Sequence, residues 1–107
     1  MDEKIVNQSM ELILNAGNGK SLAIEAFKEL LTNGNVDLAR EKLKQAGIEI
    51  GKAHDTQTSL LQKEMSGENF EKSILLIHAQ DHFMNALTIR DMVSLMIDMY
   101  ERLSNEK

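Results

Sequence analysis

Cysteine is absent from this chain of 107 residues, which excludes disulfides, thiolate zinc sites and cysteine nucleophiles within it. Any covalent chemistry must use another nucleophile. Proline and tryptophan are absent as well, and seven methionines accompany abundant Leu, Ile, Glu and Lys, a composition that favours long helices over sheet. Basic blocks are also lacking: 12 Lys and Arg face 17 Asp and Glu, for a net charge of −5. The chain therefore carries no electrostatic footprint for nucleic acid and is poorly suited to an anionic membrane surface. No apolar run approaches the roughly 18 residues of a membrane span, and the opening "MDEKIVNQ" has no basic start followed by an apolar stretch. The expectation is a cytoplasmic protein without membrane insertion, built as one domain over residues 1–107.

What is present is helical periodicity between two turn signals. "TNGN" at 32–35 and "SGEN" at 66–69 are rich in residues that stop one helix and cap the next. They leave three segments of similar length, which predicts an all-α, antiparallel, up-down-up three-helix bundle. In the second segment Val36, Ala39, Leu43, Ala46, Ile50, Ala53, Gln57 and Leu60 follow alternating steps of three and four, and only Gln57 is polar. In the third, Leu75, Ala79, His82, Ala86, Ile89, Val93, Met96, Tyr100 and Leu103 keep the same rule, with His82 as the odd member. In the first, Val6, Met10, Ile13, Gly17, Lys20, Ile24, Phe27 and Leu31 hold one register through "AGNGKS". That predicts a single helix, with Gly17 and Gly19 marking where it can kink or bulge. "GKS" superficially resembles a phosphate-binding loop, but Leu14 stands where that motif needs glycine and no strand precedes it.

Folding the chain at residue 34 and at 67–68 sets Gly17 near the level of Gly51, His54 near Asp81, and Gln57 near His78. The polar exceptions thus gather at one height, with His54, Gln57, His78, Gln80, Asp81 and His82 as candidate site residues. The third segment also has more apolar surface than one face can bury. Leu75, Leu76 and Ile77 run consecutively after Ile74, while Phe83, Met84, Leu87, Met92, Leu95 and Met99 spread around the circumference. Self-association through this helix is expected.

His78, Asp81 and His82 stand at i, i+3 and i+4, on one side of a helix. Four readings compete. The plainest is a set of interface residues with hydrogen-bond partners that fixes register in a non-catalytic helical scaffold. A zinc site would use the two imidazoles and a third ligand such as His54. The hydrolytic form of that motif needs a glutamate where Ala79 stands, so its general base is missing. General acid and base catalysis is chemically possible, because a carboxylate beside an imidazole tunes its proton affinity. In the fourth reading, a neutral imidazole attacks an activated phosphoryl group and carries it as phosphohistidine. His78 fits as the nucleophile, at the edge of the 75/79/82 seam, with His82, Gln57, Gln80 and His54 as possible donors to the phosphoryl oxygens. The absence of a nucleotide motif suits a carrier that is charged by another protein.

The segments "AGNGKS", "NGNVDLAREKL", "AHDTQTSLLQKEMSGE" and above all "SILLIHAQDHFMNALT" resemble a known family over nearly the whole chain. It is the enzyme IIA component of the lactose and cellobiose (chitobiose) class of the bacterial sugar phosphotransferase system. The resemblance implies a homotrimer of three-helix subunits. It implies that His78 accepts phosphate from the histidine-containing phosphocarrier protein and donates it to a cysteine of a IIB component, with His82 beside it. It further implies that Asp81 meets its symmetry mates on the three-fold axis and binds one divalent cation, such as Mg2+, per trimer. Three carboxylates crowded in an apolar interior repel one another, and a hard cation with oxygen ligands relieves this. Phe83 departs from the leucine usual in the family, and Ala79 leans toward cellobiose or chitobiose relatives rather than lactose ones. The sugar itself is not expected to touch this component.

Overall fold

The computed structural model describes residues 2–106 as three helices, α1 (Glu3–Asn33), α2 (Val36–Met65) and α3 (Ile74–Asn105). Each start is capped by the residue that chemistry favours there. The Asp2 carboxylate accepts from the Lys4 amide at 2.8 Å, the Asn35 side chain from Leu38 at 3.0 Å, and the Ser73 hydroxyl from Leu76 at 3.1 Å. Gly34 closes α1 in the left-handed region at φ 68°, with its N–H on the Leu30 carbonyl at 2.9 Å, a conformation that glycine adopts without the steric cost of a Cβ. The turn between α1 and α2 is thus two residues long. The second connection is longer than its turn signal suggests, because Phe70 folds back against the core and α3 does not begin until Ile74.

The result is a rod of 58 × 21 × 18 Å, as three antiparallel helices of about 45 Å must give at 1.5 Å per residue. α1 lies along both of its neighbours, whereas α2 and α3 are splayed and touch less. At the end that holds the chain's histidines, Leu12, Ala16, Ile50, Leu60, Leu76, Ala79 and Phe83 form a core with Phe70 against it. At the other end, Ala23, Leu30, Ala46, Val93 and Ile97 form a second core, capped by Phe27 and Tyr100. There Arg40 ties α2 to α3 by ion pairs to Asp98 at 2.9 Å and Glu101 at 2.8 Å, both of which raise its proton affinity further.

The bundle matches the predicted topology, and the α2 seam is buried or half-buried as expected. Two registers are corrected. The buried stripe of α1 is Ile5, Ser9, Leu12, Ala16, Gly19, Ala23, Ala26 and Leu30, one residue away from the predicted one. Small residues occupy it because α1 is gripped from two sides, and the bulkier Ile13, Ile24 and Phe27 are left on its flank. Ser9 is accommodated there because its hydroxyl donates to the Ile5 carbonyl at 2.8 Å. In α3, Ala79, Ala86 and Val93 are buried as predicted, but Leu76, Phe83 and Ile97 replace Leu75, His82 and Met96. An aromatic ring one position from a histidine wins the core place on transfer free energy. α1 is α-helical at every residue through Gly17 and Gly19.

Candidate functional site

His78, Asp81 and His82 lie in the first turns of α3, behind a Ser73 cap that fixes where the helix starts. Leu76, Ala79 and Phe83 anchor this stretch to the core. The other side of the helix is therefore held outward, and His78 and Asp81 are exposed while His82 is half-buried. The two imidazoles meet edge to face, with ring centroids 4.5 Å apart and planes at 90°. Their Nε2 atoms are 3.1 Å from each other. As a hydrogen bond, such a contact requires one nitrogen to donate and the other to accept, so only one of the two facing nitrogens carries a proton. One histidine thereby fixes the ring and proton of the other, which is what an imidazole nucleophile needs.

Asp81 faces outward beside this pair and accepts from the Asn85 amide at 3.3 Å. Among the described residues no Lys, Arg or His forms an ion pair with it. Nor does any group of three His, Cys, Asp or Glu side chains within the described chain offer a metal site. One subunit supplies a single free carboxylate, and a cation held there would need further copies.

The remaining candidates are not in this group. Gln80 lies two positions from His78, about 200° around the helix, and turns to α2, where its amide donates to Gln57 at 3.3 Å. His54 sits at the α2 edge with its ring 6.1 Å from that of Phe83 and its Nδ1 3.9 Å from Asp55. The level map was short by two residues: Gln57 meets Gln80 rather than His78, and His54 meets Phe83 rather than Asp81. That is about 3 Å along a helix. The height of the polar cluster was legible, but its azimuth was not, and one subunit divides it into an outward trio and an amide pair in the α2–α3 crevice. Asn85 was missed; its signal is its place one turn beyond Asp81.

Next to the amide pair, Leu60, Leu61, Glu64, Phe70, Lys72, Leu76, Ile77 and Gln80 line a hollow of about 60 Å³. Pockets for small-molecule ligands run from about 300 Å³ upward. This hollow can take a side chain, not a disaccharide. Glu64 and Lys72 of this lining form an ion pair at 3.3 Å, and its Leu61 and Ile77 are exposed.

The described residues thus form an antiparallel three-helix bundle that displays a contacting histidine pair on an open face. The chain belongs to the family described as PTS system, lactose/cellobiose specific IIA subunit, which matches residues 7–101. It is 41% identical to the lichenan-specific phosphotransferase enzyme IIA component of Bacillus subtilis over all of this chain and 96% of that protein. Its fold is that of the cellobiose-specific enzyme IIA from Bacillus anthracis, with a TM-score of 0.91, 40% identity and coverage of 100% and 97% of the two chains. The IIA(chitobiose) in complex with HPr from the Escherichia coli phosphotransferase system is similar at a TM-score of 0.80 and 29% identity, over 95% of this chain and 98% of that one. No helix among the described residues is long and apolar enough to cross a membrane.

Proposed function

We propose that this protein is a phosphocarrier in which His78 takes a phosphoryl group from the histidine-containing phosphocarrier protein and passes it to a IIB component. The observation that carries the reading is the 3.1 Å contact between the His78 and His82 imidazoles on an exposed face, in a chain that belongs to a IIA family. In the first transfer a lone pair of the His78 ring attacks phosphorus as the bond to the donor's histidine nitrogen breaks. In the second, the cysteine thiolate of IIB attacks and His78 leaves. Holding the ring in one tautomer and excluding water at a protein–protein contact supply most of what such a transfer needs. The apolar rim of Leu61, Ile74 and Ile77 beside His78 suits docking of both partners. HPr is bound by the chitobiose IIA relative, which supports it as donor.

The carried group belongs to a pathway for a β-linked saccharide of the cellobiose or lichenan kind. Identity to the lichenan-specific relative is 41%, against 33% and 37% to lactose-specific ones from Lactococcus lactis and Streptococcus mutans. The assembly is a homotrimer through α3. Asp81, Asn85, Thr88, Met92, Leu95 and Met99 follow alternating steps of four and three, and all are exposed in the subunit. That is the spacing of a left-handed helical seam with no partner inside its own chain. On the axis of such a trimer three Asp81 carboxylates, free of other ion pairs, would hold a divalent cation such as Mg2+. The cation would neutralise their repulsion and part of the charge, nearly two units, that phosphorylation adds nearby.

Intact mass tests the carrier reading. After incubation with phosphoenolpyruvate, enzyme I and the phosphocarrier protein at neutral to alkaline pH, the chain should gain one acid-labile phosphoryl group. His78→Ala should gain none while keeping its helical circular dichroism. An unchanged wild-type mass with active controls would overturn the proposal and return the trio to an interface role.

A further inference from the structure

We infer that the open hollow between α2 and α3, toward the end of the bundle away from the histidines, binds a small phosphomonoester whose phosphoryl oxygens are held by Arg40, Lys44 and Arg90. This hollow is separate from the His78 site, since Arg90 stands twelve residues beyond His78, about 18 Å along α3. Where α2 and α3 splay, Arg40, Leu43, Lys44, Gly47 and Ile48 of α2 and Arg90 of α3 line a space of about 460 Å³. Small-molecule sites run from about 300 to 1,000 Å³, so it has the room that the hollow beside Gln80 lacks. Half of its lining is cationic, and no carboxylate belongs to it. In a chain of net charge −5, such a set runs against the overall balance and focuses attraction for anions on one crevice.

The two arginines are held in place by acids that stand outside the lining. Arg40 gives one terminal nitrogen to Asp98 at 2.9 Å and the other to Glu101 at 2.8 Å, which leaves its Nε–H without a partner among the described residues. Arg90 gives Nε and Nη2 to Asp91 at 3.2 and 2.8 Å and keeps Nη1. Its side chain crosses to α2 at Gly47, where a Cβ would lie 3.9 Å from Nη1 and 4.0 Å from Cδ. Nη1 is thereby set against the floor of the hollow. Lys44 is exposed and forms no ion pair among the described residues, so it is the uncompensated charge of the set. Three charged donors from two helices match the three terminal oxygens of a phosphoryl group, where a carboxylate offers only two. Beside them Leu43 and the 57% exposed Ile48 form an apolar surface for the carbon face of the rest of the ligand. A sugar phosphate has this build.

Amide chemical-shift titration of the isotopically labelled full chain, at constant ionic strength, tests this with glucose 6-phosphate, inorganic phosphate and glucose as probes. Glucose 6-phosphate should move the Lys44, Gly47, Ile48 and Arg90 signals saturably, with a dissociation constant of about 1 mM. Inorganic phosphate should move the same signals with about tenfold weaker affinity, and glucose should move none. Lys44→Gln removes a cation without freeing a carboxylate, and should weaken glucose 6-phosphate about tenfold. Lys28→Gln, at an exposed position of α1, should leave it unchanged. Equal losses in the two variants would reduce the effect to general charge and overturn the site, as would the absence of a saturable shift by about 10 mM. Inorganic phosphate bound as tightly as glucose 6-phosphate would overturn the organic ligand and the role of Leu43 and Ile48. A response to an oligoglutamate peptide but to neither phosphate would overturn it in favour of an acidic protein segment.

Discussion

The two faces of α3 are built from the same kinds of residue and do different things. The inward face, Leu76, Ala79, Phe83, Ala86, Val93 and Ile97, is at most 5% exposed, and its first four members alternate large with small side chains, so that α1 and α2 can close on it. The outward face is as rich in large apolar groups, with Ile74, Met92, Leu95 and Met99 each more than half exposed. It also carries every polar group of the proposed chemistry. A subunit needs only the first face to fold; the second is apolar beyond any need of the subunit. The largest effect should follow from breaking that second face without touching the first. Leu95→Glu places a charge in the apolar half of the seam, away from His78. Sedimentation should show complete conversion of the proposed trimer to monomer at micromolar concentration, with helical content retained. A variant that still sedimented as the wild type would place the association elsewhere.

The converse substitution attacks the inward face. Phe83 is 3% exposed, and its removal leaves a cavity between α2 and α3 where those helices are already splayed. Phe83→Ala should destabilise the subunit by about 3–5 kcal/mol in chemical denaturation. Loss of the ring also frees His54, which packs against it at 6.1 Å. A loss below about 1 kcal/mol would mean that the splayed helices collapse onto the gap and that the inward face is less specified than its burial suggests.

The same contrast explains what the sequence could and could not convey. Element number, order and both turns were legible because "TNGN" and "SGEN" are local chemistry, and Gly34 and Asn35 act as cap residues must. The register of α2 was legible because its alternating steps of three and four run unbroken from Val36 to Leu60, although Leu38, Ile48, Leu61 and Met65 are exposed elsewhere on the helix. α3 is apolar nearly all round, so periodicity alone could not say whether Phe83 or His82 points inward; that was decided by α1 and α2, whose packing is not a local property. The outward trio was legible for a related reason. Spacing of three and four places His78, Asp81 and His82 together whatever the rest of the fold does, whereas Gln57 and His54 depended on a register between helices that shifted by two residues.

Two glycines in "AGNGKS" carry the contrast of inward and outward faces onto α1, with the smallest effects. Gly19 is buried in the bundle, and a Cβ there would collide with the Ile50 side chain and lie 3.0 Å from the Ala46 carbonyl oxygen. Neither the β-branched, buried Ile50 nor the backbone oxygen of α2 yields freely. Gly19→Ala should therefore destabilise by about 1–3 kcal/mol, as small-to-large changes in a packed core do. Gly17, two residues earlier, has nothing within 4 Å of such a Cβ. A glycine inside a helix costs roughly 0.5–1 kcal/mol relative to alanine through the freedom it loses on folding. Gly17→Ala should stabilise the subunit by about that amount, read as a higher denaturation midpoint with an unchanged slope. If Gly17→Ala instead weakened the trimer in sedimentation, the open space beside Gly17 would be where a second copy comes close, and the outward surface used in assembly would extend from α3 onto α1.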